Sequence, residues 1–557
     1  MMHRRLVQLA LPALLLAAAP AAAQRALGIG GDASTLPTGV LRIGTSALWD
    51  RANERYDASG KLRPLGASAS AASWNGGYDA SLAAAAPLVS ALSGVAGFDP
   101  SLGALAIGRR DASTDAALSA EVGVMARLTI GAQLRVANHA IEPRIQLNAG
   151  RVEGSMGFNP AWANKSARDR NTALLTQFDS ALAQTTRRIA QCQAGPTATG
   201  CAPIAANVAG AQTLVSNAAA FAAALNQLYG GRRNSAGLPF VPVANGAAQQ
   251  AIDQRVQGYR DQFAALGITA IGTQGPVAAA LFSHGNLATL LTDSLYGYRL
   301  RPLRAVHAYG LGEVSLHAKA RVFDMLGADS AIIRGFAVRQ SVGATVRLSG
   351  GSSPDADEPF APVAGEGGSG FTLQSFTDLF YNQRFSASIV VGVDNAQAQE
   401  YAARIPSATA PSVGGVPFPL VPADREVQLT RTPGARLDIS VTPRVALARN
   451  IWLGASWTFA RQAADRWSTA ALPASIAGAV ESADVQAWAS GTDWTEQRVA
   501  LGGTYSTVAA AHEGHAKVAF DVSYEHQQTL TGNGWRVSHL SRDVVTVRWY
   551  PRIWGRR

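Results

Sequence analysis

PGARLDISVTPRVALARNIWLGASWTFARQ, spanning Pro433 to Gln462, alternates apolar and polar residues through two runs that a short polar break separates. In the first run Leu437, Ile439, Val441, Val445 and Leu447 alternate with Arg436, Asp438, Ser440, Thr442, Arg444 and Ala446, the period of two that gives a strand unlike faces. After Ala448-Arg449-Asn450 the alternation resumes, with Ile451, Leu453, Ala455, Trp457 and Phe459 on one face and Gly454, Ser456 and Thr458 on the other. The pattern predicts a tight hairpin. Each strand is long enough to cross a hydrocarbon layer at a tilt, which takes ~9–11 residues. A soluble sandwich alternates in the same way, so the decision rests on how often the pattern recurs.

It recurs along most of the chain. Residues 39 to 56 read as a first strand and 104 to 124 as a second. A third runs from Leu128 to Val136, and past Asn138 the apolar parity shifts to Ile141, Ile145 and Leu147, which suggests a bulge or a second short strand. Strands follow at 313–322, 336–348, 369–381 (the least regular) and 385–393. After the hairpin come Val499 to Tyr505, Lys517 to Glu525, and a last strand with Val545, Val547 and Trp549. That makes about twelve strands, with up to fourteen allowed by the pattern. Short turns alternate with long loops at 57–103, 350–368, 395–432 and 464–491; a helix is expected near Ala80 to Val95.

Between residues 153 and 302 the period changes. Leu174, Leu175, Phe178, Leu182 and Ile189 fall at helical spacing, as do Leu214, Val215, Ala218, Ala222 and Leu225, and again Ile252, Val256, Tyr259 and Phe263. Cys192 and Cys201 are the only cysteines and lie between the first two helices, where a disulfide would pin a helical hairpin. Two thiols do not complete a four-ligand zinc site, and no metal is expected.

MMHRRLVQLALPALLLAAAPAAAQ at the start has Arg4 and Arg5, an apolar run and an Ala21-Ala22-Ala23 cleavage site, the form of a secretory signal peptide. No later uninterrupted apolar run reaches the ~18 residues of a spanning helix. The formal charge of +10 comes almost wholly from scattered arginines, so no nucleic-acid surface is expected. The chain accordingly divides into a signal peptide (1–23), an N-terminal segment (24–38), first barrel strands with a helical loop (39–152), an α-helical extracellular insertion (153–302) and the remaining barrel strands (303–557).

Only helices and closed barrels span lipid, and bacterial outer-membrane barrels combine short periplasmic turns, long external loops and apolar-out, polar-in strands. The fold expected is therefore an all-β transmembrane barrel of antiparallel strands with a large inserted α-helical subdomain, in the outer membrane, with both ends periplasmic. Turning 313–321 over would put Glu313, Lys319 and Arg321 into lipid, at ~2–4 kcal/mol for each basic residue near the midplane. The polar face should thus line the lumen with Arg135, Glu313, His317, Lys319, Arg321, Arg339, Arg347, Arg436, Asp438, Arg444, Arg498, Lys517, Asp521, Glu525 and Arg548. Such a lining could select anions or polar head groups, or could be a closed, ion-paired interior. Trp49, Trp452, Trp457, Trp549, Tyr550 and Trp554 suit an interfacial girdle. His512 with His515 reads as a solvated turn, and Ser283-His284, without an acid partner, as no catalytic pair.

MARLTIGAQLRV (125–136), ARNIWLGASWTF (448–459) and SVGATVRLSGG (341–351) ahead of an Asp/Pro loop resemble strands of the Gram-negative outer-membrane hydrocarbon channels, the FadL-like transporters and the meta-pathway phenol-degradation barrel proteins. The resemblance covers the barrel strands, about half the chain. It implies a channel for a small hydrophobic solute, inserted by the barrel-assembly machinery, with no cofactor and no enzymatic activity. The helical insertion and the Gly555-Arg556-Arg557 end depart from that family. The alternative is a plugged surface-display barrel whose helical cap binds a partner or has a structural role in the envelope.

Overall fold

A computed structural model describes residues 29–554 except 232–236, 327–334, 349, 351–354, 361–367, 383 and 470–479. The expected signal peptide and the C-terminal Gly-Arg-Arg lie outside the described residues.

Period-two alternation becomes a closed antiparallel barrel of twelve strands in chain order. They are β1 (Leu41–Ala52), β2 (Leu105–Met125), β3 (Leu128–Leu147), β4 (Val306–Asp324), β5 (Phe336–Leu348), β6 (Gly370–Tyr381), β7 (Phe385–Ala396), β8 (Arg436–Ala448), β9 (Ile451–Gln462), β10 (Trp494–Ser506), β11 (Phe520–Asn533) and β12 (Ser541–Trp549). β1 pairs with β2 along one edge and with β12 along the other, so no ladder is left open. The opening hairpin is β8–β9, in register from Arg436↔Gln462 to Val441↔Trp457.

Every strand exposes a large apolar side chain on its outer face: Ile43, Leu118, Ile130, Leu316, Val342, Leu373, Val391, Leu447, Leu453, Leu501, Tyr524 and Val547, in chain order. A contiguous apolar belt of that extent far exceeds the largest patch of a soluble monomer, a few hundred Å². With closure of the backbone hydrogen bonds, it defines a transmembrane barrel. Met125, Phe323, Phe336, Tyr381, Phe385 and Tyr505 are exposed at the short-turn end. Trp49, Trp457 and Trp554 are exposed too, although Trp457 lies midway along β9 rather than at an end where a girdle would sit. Trp452 and Tyr550 are buried instead. Trp452 shares the inward parity of Gly454, and the Tyr550 hydroxyl donates to Asp521.

The parity shift expected in β3 is absent. β3 is one strand, in unbroken register with β2 from Leu105↔Leu147 to Gly123↔Thr129. The bulge lies across the other ladder, where register with β4 slips between Arg135 and Val136. Ile141 and Leu147 keep the inward parity of Arg135, but near the long-loop end the interior they face is greasy. There Leu105, Ile107, Ile141 and Leu147 pack into one cluster with the helical cap.

That cap consists of α1 (Ala80–Ser93) from the β1–β2 loop, and α2 (Lys165–Ala194), α3 (Val208–Tyr229), α4 (Ala247–Ala265) and α5 (His284–Thr292) from the β3–β4 connection. Leu82 and Leu92 of α1, Leu174 and Phe178 of α2, Leu225 of α3, Ile252 and Phe263 of α4, and Leu290 of α5 share its core. The Cys192–Cys201 disulfide joins the end of α2 to the segment before α3. α3 is long and apolar enough to cross a membrane, with a mean hydropathy of 1.4, which the sequence reading did not register. It packs against α1 and α2 above the barrel. The segments expected as loops at 395–432 and 464–491 also carry strands. Gln399–Arg404, Glu426–Thr432 and Arg466–Thr469 pair into a three-stranded sheet beyond the barrel rim.

Candidate functional site

The lumen is the one interior the barrel builds, and the N-terminal segment crosses it near the short turns. Gly39 sits at the rim, its amide bonded to the Gly123 carbonyl at 2.9 Å. From there the chain leads back through Leu36, Ala33 and Ile29, all buried. An extended peptide without a sheet partner must satisfy its polar groups elsewhere, and here wall side chains do so. Thr129 Oγ1 accepts from Leu36 N at 2.7 Å, and Asp378 Oδ2 accepts from Ala33 N at 3.0 Å. The Ser341 hydroxyl donates to the Ala33 carbonyl, and Lys319 Nζ donates to the Asp32 carbonyl at 3.0 Å. Arg444 donates from Nε and Nη2 to the Ile29 carbonyl at 2.8 and 2.6 Å, and from Nη1 to Ser388 Oγ at 2.6 Å. Small residues make the fit: a Cβ on Gly123 would stand 2.1 Å from the Pro37 carbonyl oxygen.

Beside this plug, between it and β1–β6, is a cavity of about 230 Å³. Arg42, Glu121, Gln133, His317, Lys319, Thr345 and the Phe376 ring line it. Glu121 pairs with Arg42 and lies 3.7 Å from His317 Nε2. Lys319 Nζ stands 4.3 Å over the Phe376 centroid. The chamber thus offers one aromatic face, one ammonium group and a ring of hydrogen-bonding groups.

Elsewhere the inward arginines meet acids of their own or a neighbouring strand. Arg135 Nε lies 3.1 Å from Asp115, which also has His139 at 3.4 Å. Arg347 bridges Asp394 at 2.7 Å and Glu313 at 3.8 Å. Arg436 binds Asp438 at 2.8 Å and lies over Trp494, and Arg498 binds Glu496 at 3.2 Å. Near the short turns Arg321 and Arg339 converge on Asp324 at 2.8 and 3.6 Å. Arg548 meets Asp521 at 3.4 Å, and Glu525 accepts from Gln527 at 3.0 Å. Lys517 departs from the expected lining: it is exposed in the turn before β11, which begins only at Phe520.

Of the acids that complete these pairs, Glu121 and Asp394 fall on the polar face in the sequence reading but were left out of the lining, and Asp115 and Glu496 were missed, although each has the inward parity of its strand. Asp378 was missed too. Inward Phe376 and Phe380 blur the apolar/polar alternation of β6, and that irregularity was the available signal. Ser283 has a structural task, capping α5 in a reciprocal box with Asn286. Among the described residues no cluster of His, Cys, Asp and Glu could hold a metal ion.

No family model matches the sequence, and no curated protein matches it. Solved structures that the chain resembles are outer-membrane barrels. An outer membrane channel from Pseudomonas putida F1 has a TM-score of 0.39 at 7% identity, over 94% of this chain and 99% of that one. A Pseudomonas aeruginosa FadL homologue has 0.24 at 7%, over 93% and 91%. The Pseudomonas putida toluene transporter TodX has 0.22 at 9%, over 93% and 90%. At these values the likeness is one of barrel outline and says nothing of what passes through this lumen.

Proposed function

We propose that the protein is an outer-membrane channel for a small hydrophobic solute bearing a polar or anionic head, exported behind a cleaved leader and inserted by the barrel-assembly machinery. The observation that carries this reading is the chamber beside the plug, where Phe376 supplies an aromatic ring and Lys319 a cation to the lining of one cavity. Ion pairs along the remaining wall keep the lumen hydrated without leaving net charge to trap a solute. The segment Ile29–Thr38 closes the short-turn mouth through hydrogen bonds and the packing of Leu36 against Val508, Ala511, Ala519 and Tyr550, a non-covalent closure that can be reversed.

A specific observation also favours the alternative, a permanently plugged barrel with a structural cap: Arg444 and Asp378 are almost wholly buried and both bind the plug backbone. Uptake into proteoliposomes separates the two. The chain from which residues 29–36 are deleted should pass a small aromatic carboxylate faster than the intact chain by at least about tenfold, since the backbone groups that bond the wall go with the segment and each such bond is worth ~1 kcal/mol. If Lys319→Gln then slows the carboxylate but not the matching neutral aromatic, the chamber is the selective element. Passage of no solute in either form would contradict transport.

A further inference from the structure

The helical cap holds a second space that the lumen does not explain. Between α3 and α4, over the end of α1, lies a groove of about 590 Å³, against about 230 Å³ for the chamber beside the plug. That is the size of a small-molecule site, ~300–1,000 Å³. Tyr259, packed on Phe221 with ring centroids 4.9 Å apart, lies at its floor. Residues four apart share one side of a helix, so the walls are two facing stripes: Thr213 and Asn217 on α3, and Gln254, Gly258 and Gln262 on α4. The four polar side chains are exposed. Among the described residues the side chains of Thr213, Asn217 and Gln254 have no hydrogen-bond partner, and that of Gln262 donates only to the Gly258 carbonyl, at 3.2 Å. Gly258 fills the gap between the two glutamines. A glycine in mid-helix costs stability relative to alanine, and nothing in the packing requires one here: it has no positive φ, and a Cβ would meet nothing within 4 Å. The missing side chain leaves the groove open at its centre.

The lining selects a ligand by exclusion. A hydrocarbon would meet walls of amides and a hydroxyl. A peptide is recognised through a sheet edge, apolar anchor pockets or a charge cluster, and two helical stripes of short polar side chains supply none of these. Among the described residues no carboxylate lines the groove. Its one cation, Arg255, is turned to the open end of α1, donating from Nη1 to the Ala91 and Leu92 carbonyls at 2.5 and 3.2 Å, with the guanidinium 5.3 Å over the Phe221 ring. What fits is a neutral molecule rich in groups that both donate and accept. Each primary amide offers two donors and an acceptor, the complement of adjacent sugar hydroxyls. The cap stands at the long-loop end, which bacterial barrels turn to the outside.

We propose that this groove binds a neutral oligosaccharide, free or as part of a surface glycan, with Asn217, Gln254 and Gln262 on its hydroxyls and one ring over Gly258. The binding is independent of whether the lumen conducts. The full chain, in a detergent without a sugar head group, is applied to an array of neutral and acidic oligosaccharides, delipidated bacterial surface polysaccharides and Ser/Gly-rich peptides. A neutral saccharide should bind: short free oligosaccharides if the ligand is a free solute, the polysaccharides alone if it is a surface glycan. N217A/Q254A should weaken that binding at least about tenfold, through the loss of two hydrogen bonds. G258W, whose ring enters open space, should abolish it while the cap keeps its protease resistance. Q212A/Q227A, exposed on α3 outside the groove, should change nothing. Binding of no neutral saccharide, preference for acidic sugars or for the peptides, or binding that N217A/Q254A leaves unchanged would each overturn the proposal.

Discussion

Asp465 has no exposed side-chain surface and receives Arg431 at 2.7 Å, Arg536 at 2.6 Å and the Gly434 amide at 3.1 Å. It ties the sheet beyond the rim to the β11–β12 loop. Burial alone would raise its pKa, but Arg536 and Arg431 outweigh it and hold the carboxyl below its usual range. A depressed folded-state pKa gives stability that is present above the unfolded value of ~3.9 and is lost as pH falls through the folded value. Asp465→Asn should cost about 2 kcal/mol locally, the worth of a charged hydrogen-bond set partly open to solvent. It should also flatten the acid dependence. Hydrogen exchange of the Glu426–Thr432 amides between neutral and acid pH reads both effects; unchanged protection in the variant would contradict the assignment. Single residues of this kind were the least legible from sequence. Nothing in DRW at 465–467 says that a loop aspartate will find arginines at 431 and 536, because the pairing is set by which loops the barrel brings together.

Elements were legible where a period is enforced by two solvents. β2, β5 and β7 were read to within a few residues, since lipid on one side and polar lumen on the other leave no freedom of parity; β3 and β4 were cut short at their long-loop ends, at 136 for Leu147 and at 313 for Val306. The rim strands Gln399–Arg404 and Arg466–Thr469 were missed because they are short and neither face meets lipid. The plug was missed because an extended segment bonded to side chains has no period at all; its signature is composition, glycine and small residues at 28–35. The helical hairpin was legible in both its spacing and its disulfide. Closing a loop of that size is worth about 2–3 kcal/mol. C192S/C201S should therefore open the segment 195–207 to limited proteolysis while the barrel keeps its heat-modifiable migration. A variant that lost the barrel along with the hairpin would show that cap and barrel fold as one unit.

At the scale of the whole molecule, three solvents meet three surfaces of one sheet. Acyl chains meet the outer face, water and ion pairs the middle of the lumen, and a greasy cap the inner face at the long-loop end. That third interior explains why inward parity reads polar at Arg135 and apolar at Ile141 on the same strand, which the alternation rule alone cannot anticipate. The membrane-spanning barrel itself is tested most directly along β9, in liposomes, by spin labels placed one at a time at 453, 454, 455, 456, 457 and 458. Collision with oxygen, which concentrates in hydrocarbon, should rise at 453, 455 and 457 and fall at 454, 456 and 458, while a water-soluble relaxing agent stays excluded from the odd positions. Equal access of the water-soluble agent to all six, or the opposite parity for oxygen, would contradict a barrel with this face in lipid.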